Sequence, residues 1–317
     1  MKIVMLDGIT INPGDITWQP VSNLGDFTFY PRTAPEDVVS RIGDAEAVLI
    51  SKIHMTGEVM DACPNLKYIG AMATGYNNVD VDAAHERGIV VTNIPAYSTN
   101  AVAQFTMGLL MEITQRIGYH VNEVRNGKWI GHINFCYWDY SPMELAGKTL
   151  GVIGYGSIGQ KVASMARAFD MKILYNSRHP KTDHDCDDCR YAPMEELLAN
   201  SDIISLHCPL TEQTSEMVCT DFINKMKDGV ILLNTSRGGL VKEDDLAEAL
   251  KSGKVRAFGA DVVAVEPMAA DNPLRELPNA FITPHMAWAP IETRIRLVQL
   301  IADNLAAYQK GEALNRV

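Results

Sequence analysis

The stretch LGVIGYGSIGQKV, Leu150 to Val162, restricts the fold of this chain more than any other. Aliphatic residues Leu150, Val152 and Ile153 run into Gly154-Tyr155-Gly156-Ser157-Ile158-Gly159, and a helical pattern begins at Gln160. In that order each glycine has its own task. Gly154 permits a tight turn, Gly156 lets a pyrophosphate approach the backbone, and Gly159 lets the helix pack closely on the strand. The helix N-terminus then offers free N–H groups and a positive dipole end to the phosphates. A strand–turn–helix unit of this kind points to a dinucleotide site, the alternative being a structural glycine turn of an α/β protein without a ligand.

The rest of the chain agrees with such a sheet. Short apolar runs recur at Ile3–Leu6, Ala47–Ile50, Tyr68–Met72 and Ile89–Val91, then at Thr149–Ile153, Lys172–Tyr175, Ile203–Leu206, Val230–Leu233, Ala257–Gly259 and Phe281–Thr283. Between them lie helical patterns, such as Val102, Phe105, Leu109, Leu110 and Ile113 at spacings of three and four. Strands alternating with helices in two series predict an α/β chain of two doubly wound, Rossmann-like parallel-sheet domains. At 317 residues and 47% hydrophobic composition, two cores are the expected number. Pro95–Asn100 suits a boundary, because Pro95 ends a strand segment and Ser98 or Thr99 can cap the helix that follows. The last helix, Ile291 to Lys310, fits either domain on this evidence.

Composition removes several classes of function. A net charge of −11 argues against nucleic acid and anionic membrane as partners. No apolar run approaches bilayer length, and Met1–Asp7 reads as a strand rather than a leader. The six cysteines, at 63, 136, 186, 189, 208 and 219, are too scattered to be a stapling framework, so a reducing cytoplasm is expected. Cys186 and Cys189 have CxxC spacing with His184 nearby. A structural zinc needs four ligands, however, and no second pair exists, so no metal is expected.

Which dinucleotide binds is decided by the strand after the glycine turn. An acid at its end would take the ribose hydroxyls of NAD, whereas Lys172–Tyr175 runs into Asn176-Ser177-Arg178-His179-Pro180. A hydroxyl followed by a guanidinium suits a phosphate monoester, which favours NADP(H) over NAD(H).

Three later stretches put reactive side chains just past strands, where open parallel sheets hold ligands. LLNTSRGGLV places Arg237, GADVVAVEP places Asp261 and Glu266, and ITPHMAW places His285. Beside a nicotinamide this set suits reduction of a 2-keto acid. Arg237 would hold the carboxylate and polarise the carbonyl, His285 would be the general acid, and Glu266 would pair with the imidazole. Each alone also suits a bland role, as core histidine, solvated charge or surface ion pair. Their common placement after strands of one fold favours the catalytic role.

Together with LHCPLTEQT and MATGYNNVDVDAAHERGIVVTNIPAYSTNAVAQ, these segments resemble the D-2-hydroxyacid dehydrogenase family over nearly the whole chain. Within the family, ATGYNNVD, FCYWD and the short C-terminus are most similar to the glycerate dehydrogenases, which reduce hydroxypyruvate and often glyoxylate. The resemblance implies that Arg237, Glu266 and His285 are the catalytic triad, and that the backbone of Thr74-Gly75-Tyr76 faces the substrate carboxylate opposite Arg237. It places Ser157 and Ile158 under the pyrophosphate and His207-Cys208-Pro209 with Thr214 on the adenosine side. Asn234-Thr235-Ser236 would lie along the central cofactor and Asp261 at the nicotinamide amide.

It further implies a discontinuous, flavodoxin-like substrate domain, residues 1–98 plus 288–317, a Rossmann cofactor domain, residues 99–287, and a cleft between them that closes on a hinge. A homodimer is implied too, with residues 118–147 (Trp129, Phe135, Tyr137 and Trp138 among them) as its arm, unless those aromatics are ordinary core. Two positions depart from the family. Gln104 stands where many members have an acid, and Ser177 where NAD-dependent members usually carry Asp, in line with NADP(H). Rival readings are a D-lactate-type specificity on the same scaffold and a nucleotide-sensing, corepressor-like module without turnover. A phosphoglycerate specificity would want a C-terminal extension and more basic residues near the substrate.

Overall fold

A computed structural model describes all 317 residues, and the chain divides into two compact units, Met1–Ser98 with Trp288–Val317, and Thr99–Ala287. The first unit holds a five-stranded sheet of β1 (Lys2–Met5), β2 (Asp26–Phe29), β3 (Ala47–Ile50), β4 (Tyr68–Ala71) and β5 (Val90–Thr92), in the order β2-β1-β3-β4-β5. All its pairings are parallel. Residues of β3 and β4 are buried throughout, which is why they read as unbroken apolar runs rather than alternating ones.

One face of this sheet packs Val4, Val48, Ile69 and Val91 against Val38, Ile42 and Met60. The other packs Ile3, Met5, Leu49 and Tyr68 against Leu297, Ile301 and Leu305 of the helix Ile291–Gln309. That helix therefore belongs to the first unit. Each aliphatic side chain so buried contributes roughly 1.5–3 kcal/mol.

The second unit holds a seven-stranded parallel sheet. Its strands are β6 (Thr149–Ile153), β7 (Lys172–Asn176), β8 (Cys189–Tyr191), β9 (Ile203–Leu206), β10 (Val230–Asn234), β11 (Val255–Ala260) and β12 (Ala280–Ile282). Their order is β12-β11-β10-β9-β6-β7-β8, so the direction of winding reverses at β6, the strand that feeds the glycine turn. A ligand site lies outside the carboxyl ends of the strands at such a switch point. The helix Thr99–Gln115 buries Met107, Leu109, Leu110 and Ile113 in the same core as Val162, Ala163 and Ala166 of the helix Ser157–Arg167.

Two strands escaped the sequence reading, β2 (DFTF) and β8 (CRY), and both are short edge strands. An edge strand is covered less completely, so the apolar run that announces β3 or β10 is missing. Residues 126–148 contain no helix or strand, and Trp129, Ile130, Ile133, Phe135 and Trp138 in this stretch are exposed. No helix is long and apolar enough to cross a membrane.

Candidate active site

The glycine turn has the geometry its spacing calls for. Gly154 has φ +95°, and a Cβ there would stand 2.5 Å from the backbone of His207 and Cys208. At Gly159 a Cβ would meet the Gly154 carbonyl at 2.2 Å, so the helix start lies against the turn itself. Gly156 differs, because nothing lies within 4 Å of where its Cβ would be. The open space at Gly156 faces a helix start with no acidic residue in its first turn and no side-chain cap. The first hydrogen bond of that helix runs from Gln160 N–H to the Gly156 carbonyl, which leaves the N–H groups of Ser157 and Ile158 for a ligand. The cradle therefore fits a pyrophosphate in shape and polarity.

At the end of β7, Ser177 Oγ donates to the His179 carbonyl at 2.6 Å, and Arg178 is exposed. No carboxylate follows β7 in the sequence through Pro180, and the Asp185 carboxylate that reaches the strand accepts from the Tyr175 hydroxyl at 2.7 Å. After β9, His207 is bonded to Ser205 Oγ at 2.8 Å, and its dense surroundings push the imidazole down to about 4. Burial pushes the Cys208 thiol up. Thr214 Oγ1 donates to the Pro209 carbonyl at 2.7 Å and accepts from Thr211 N–H at 2.8 Å, closing the loop after β9.

The end of β10 is a turn built by one buried side chain. Asn234 accepts from Ser236 N–H at 3.1 Å and donates to the Arg237 carbonyl at 2.9 Å, fixing the backbone from which the Arg237 side chain departs. Ser236 Oγ reaches the Cys208 carbonyl at 2.8 Å, and Thr235 Oγ1 pairs with Thr106 Oγ1 at 2.8 Å. Arg237 is exposed, and its Nη1 donates to the Ser236 carbonyl at 2.8 Å. The next residue admits no side chain, since a Cβ on Gly238 would lie 1.9 Å from the Val263 carbonyl group. That contact sets the Arg237 turn directly against the segment leading to Glu266.

His285 and Glu266 meet as expected, with Nδ1 and Oε2 2.7 Å apart, both about one-third exposed. The other oxygen, Oε1, accepts from Val263 N–H at 3.3 Å. The carboxylate on Nδ1 fixes the orientation of the ring.

His285 sits at φ +54°, in the left-handed region that a β-substituted residue occupies at a cost. What holds it there is Asp261, itself 1% exposed. Its Oδ1 accepts from Thr283 Oγ1 at 2.7 Å and Met286 N–H at 2.9 Å, and its Oδ2 accepts from Ala287 N–H at 2.7 Å. Sequence reasoning passed over Thr283; its signal is a hydroxyl two residues before the histidine in ITPH.

In the first unit, the loop after β4 carries Thr74, Gly75 and Tyr76. Thr74 Oγ1 donates to the Ile94 carbonyl at 2.8 Å, and Asn93 Nδ2 donates to the Thr74 carbonyl at 2.8 Å. The N–H groups of Thr74, Gly75 and Tyr76 donate to no protein acceptor. Asp7, another residue the sequence reading left without a role, accepts from the N–H groups of Ser51 at 2.7 Å and Lys52 at 2.5 Å after β3. Desolvation holds its carboxyl above the usual range.

Comparison with known proteins identifies the family. Residues 107–287 match the family model described as D-isomer specific 2-hydroxyacid dehydrogenase, NAD binding domain. A hydroxypyruvate reductase of Blautia hydrogenotrophica is 48% identical, over 100% of this chain and 99% of that protein. A glycerate dehydrogenase of Methylorubrum extorquens is 38% identical, over 100% and 98%. An acyclic imino acid reductase solved with NADPH and D-Arg superposes with a TM-score of 0.86 at 30% identity, each chain covered in full.

Proposed function

Because the chain belongs to the D-isomer specific 2-hydroxyacid dehydrogenase family, and is thereby an NAD(P)-dependent oxidoreductase of 2-hydroxy acids, we propose that its reaction is reduction of hydroxypyruvate and glyoxylate to D-glycerate and glycolate, with NADP(H) favoured. When bound, the nicotinamide supplies the hydride. Arg237 binds the 2-keto acid through its carboxylate and carbonyl oxygen, and its planar fork suits both at once. The N–H groups of Thr74, Gly75 and Tyr76 add donors for the carboxylate. His285 delivers a proton to the developing alkoxide, while Glu266 on Nδ1 orients the ring and stabilises the imidazolium.

In this reading Gly154, Gly156, Ser157, Ile158 and Gly159 hold the pyrophosphate. His207, Cys208, Pro209 and Thr214 line the adenosine side, Asn234, Thr235 and Ser236 the middle of the cofactor, and Asp261 the nicotinamide end. Residues 1–98 with 288–317 serve the substrate and residues 99–287 the cofactor. NADP(H) is favoured because Ser177 and the exposed Arg178 stand where a carboxylate would repel the 2′-phosphate. The exposed apolar side chains within residues 118–147, Trp129, Ile130, Ile133, Phe135 and Trp138 among them, support a homodimer arm there.

The observation that carries the reading is the 2.7 Å bond between His285 and Glu266, on a turn past β12. Initial rates with hydroxypyruvate, glyoxylate and pyruvate, each with NADPH and NADH, test it. NADPH preferred, with hydroxypyruvate or glyoxylate leading, supports it. An NADH preference overturns the cofactor assignment alone, and a lead for pyruvate overturns the substrate. His285→Ala is expected to lower kcat by about two orders of magnitude with cofactor binding intact. Unchanged turnover in that variant removes the general acid.

A further inference from the structure

The stretch Cys186-Asp187-Asp188-Cys189 has no part in the chemistry above, yet it is built tightly. Cys186 N–H donates to the Cys189 carbonyl at 2.7 Å and Cys189 N–H to the Cys186 carbonyl at 3.1 Å, closing an antiparallel hairpin around Asp187 and Asp188. Two residues opposed in this way have Cα atoms about 5.5 Å apart and side chains on one face. That separation falls at the common spacing of disulfide-linked residues, roughly 5.5–6 Å. None of the other four cysteines is bridged to a cysteine. Nor is there a group of three or more His, Cys, Asp or Glu side chains disposed to hold a metal ion.

The two thiols differ in access. Cys186 is exposed, and its Sγ donates to Asp188 Oδ1 at 3.2 Å, a carboxylate ion-paired with Arg167 at 2.8 Å. Cys189 is 3% exposed, and its Sγ lies 3.3 Å from the Tyr155 hydroxyl. Tyr155 is the residue between Gly154 and Gly156, and its ring stacks on Tyr175 at 3.8 Å and 15°. The inner sulfur therefore touches a side chain of the cofactor turn.

We propose that Cys186 and Cys189 are a thiol–disulfide modification site for low-molecular-weight disulfides of the glutathione type, and that its oxidation weakens cofactor binding through Tyr155. The Cys186 thiolate attacks one sulfur of the oxidant, the oxidant's S–S bond breaks, and one glutathione thiolate leaves. Cys189 then attacks Cys186 Sγ, forming the intramolecular S–S bond and expelling the second glutathione. The two protons of the protein thiols go to the two leaving thiolates, and the protein's two electrons reduce the oxidant's sulfurs.

A hydrogen-bonded pair holds its Cβ atoms wider than the about 3.8 Å a disulfide prefers, so the hairpin must contract. Disulfides strained in this way are the readily reduced, regulatory ones. Once Cys189 Sγ is drawn to Cys186, the buried Tyr155 hydroxyl loses its partner and the ring moves with the turn. Binding the dinucleotide then requires the turn to be drawn back to its reduced position, and a cost of about one hydrogen bond for that corresponds to about a fivefold weaker cofactor affinity. This coupling, though not the disulfide itself, rests on the glycine turn holding the dinucleotide.

The test uses the intact protein equilibrated with oxidised or reduced glutathione, then digested without reduction. The tryptic peptide Thr182–Arg190 is expected to lose two hydrogens in oxidised glutathione and regain them with dithiothreitol. NADPH titration of the same samples is expected to show a rise in Kd of about fivefold on oxidation. Cys186→Ser should abolish both changes at unaltered basal activity. Cys189→Ser should instead retain a glutathione adduct on Cys186. A stable glutathione adduct on wild-type Cys186, or no modification, overturns the site. A disulfide that leaves NADPH affinity unchanged overturns the coupling. Failure of the reduced protein to bind NADPH or NADH counts against the cofactor reading and leaves the peptide result standing.

Discussion

Replacing Gly156 by alanine separates the ligand's need for a glycine from the fold's. A Cβ at Gly156 meets nothing within 4 Å, and its φ of −80° is one that alanine adopts freely. Alanine gains roughly 0.4–1 kcal/mol from a less flexible unfolded chain and loses about as much as a poorer N-cap. Stability should stay within about 1 kcal/mol of wild type, a Tm change of no more than about 2–4 °C. The same methyl stands where a pyrophosphate must approach, and overpacking of that kind costs about 1–3 kcal/mol. NADPH affinity is therefore expected to fall about 5- to 150-fold.

Gly159→Ala is the converse control. Its Cβ would lie 2.2 Å from the Gly154 carbonyl, so the helix must retreat by about 1 Å to reach ordinary contact, and Tm is expected to drop by several degrees. Calorimetry gives Tm, and titration followed by nicotinamide fluorescence gives Kd. A Gly156→Ala protein with wild-type NADPH affinity would refute the pyrophosphate assignment. A Gly159→Ala protein with unchanged Tm would refute the packing argument.

Other expectations follow from the same geometry. Asp261→Asn removes an acceptor from the turn bearing His285, so kcat should fall by about 100-fold and Tm should drop; equal kcat would show that the turn holds without it. Arg237→Lys should lower kcat/KM for hydroxypyruvate by two orders of magnitude or so, because a point charge cannot bind two oxygens in a plane; wild-type kcat/KM would remove the anchor. His207 has a folded pKa near 4 against 6.5 for a free imidazole, so the unfolded chain takes up the proton first. Its stability contribution is therefore present above pH 6.5 and lost as pH falls towards 4. His207→Gln should flatten that part of the curve in urea unfolding midpoints, and an unchanged slope would assign it to another group.

The parts of this protein legible from sequence are those where one local requirement admits few residues. Gly154 and Gly159 are glycines because backbone occupies the place of their side chains, and β3 and β10 are apolar throughout because both faces are covered. The placement of Arg237, Glu266 and His285 was legible because each follows the carboxyl end of a strand of one parallel sheet. The edge strands β2 and β8 were not, since Asp26, Thr28 and Arg190 interrupt the apolar run that marks the equally short edge strands β5 and β12. Nor was Gly238, a plain loop glycine in sequence, which proves to be where the Arg237 turn abuts Val263.

The sequence by itself determined the two α/β series and the strand–glycine turn–helix unit, because periodicity and glycine spacing are local properties of the chain. Only the tertiary structure decided that the last helix covers the first sheet, that Asp261 holds the His285 turn, and that Cys189 faces Tyr155. These contacts join residues up to hundreds of positions apart. Their energies depend on burial and on hydrogen-bond geometry across elements, which no local pattern of residues records.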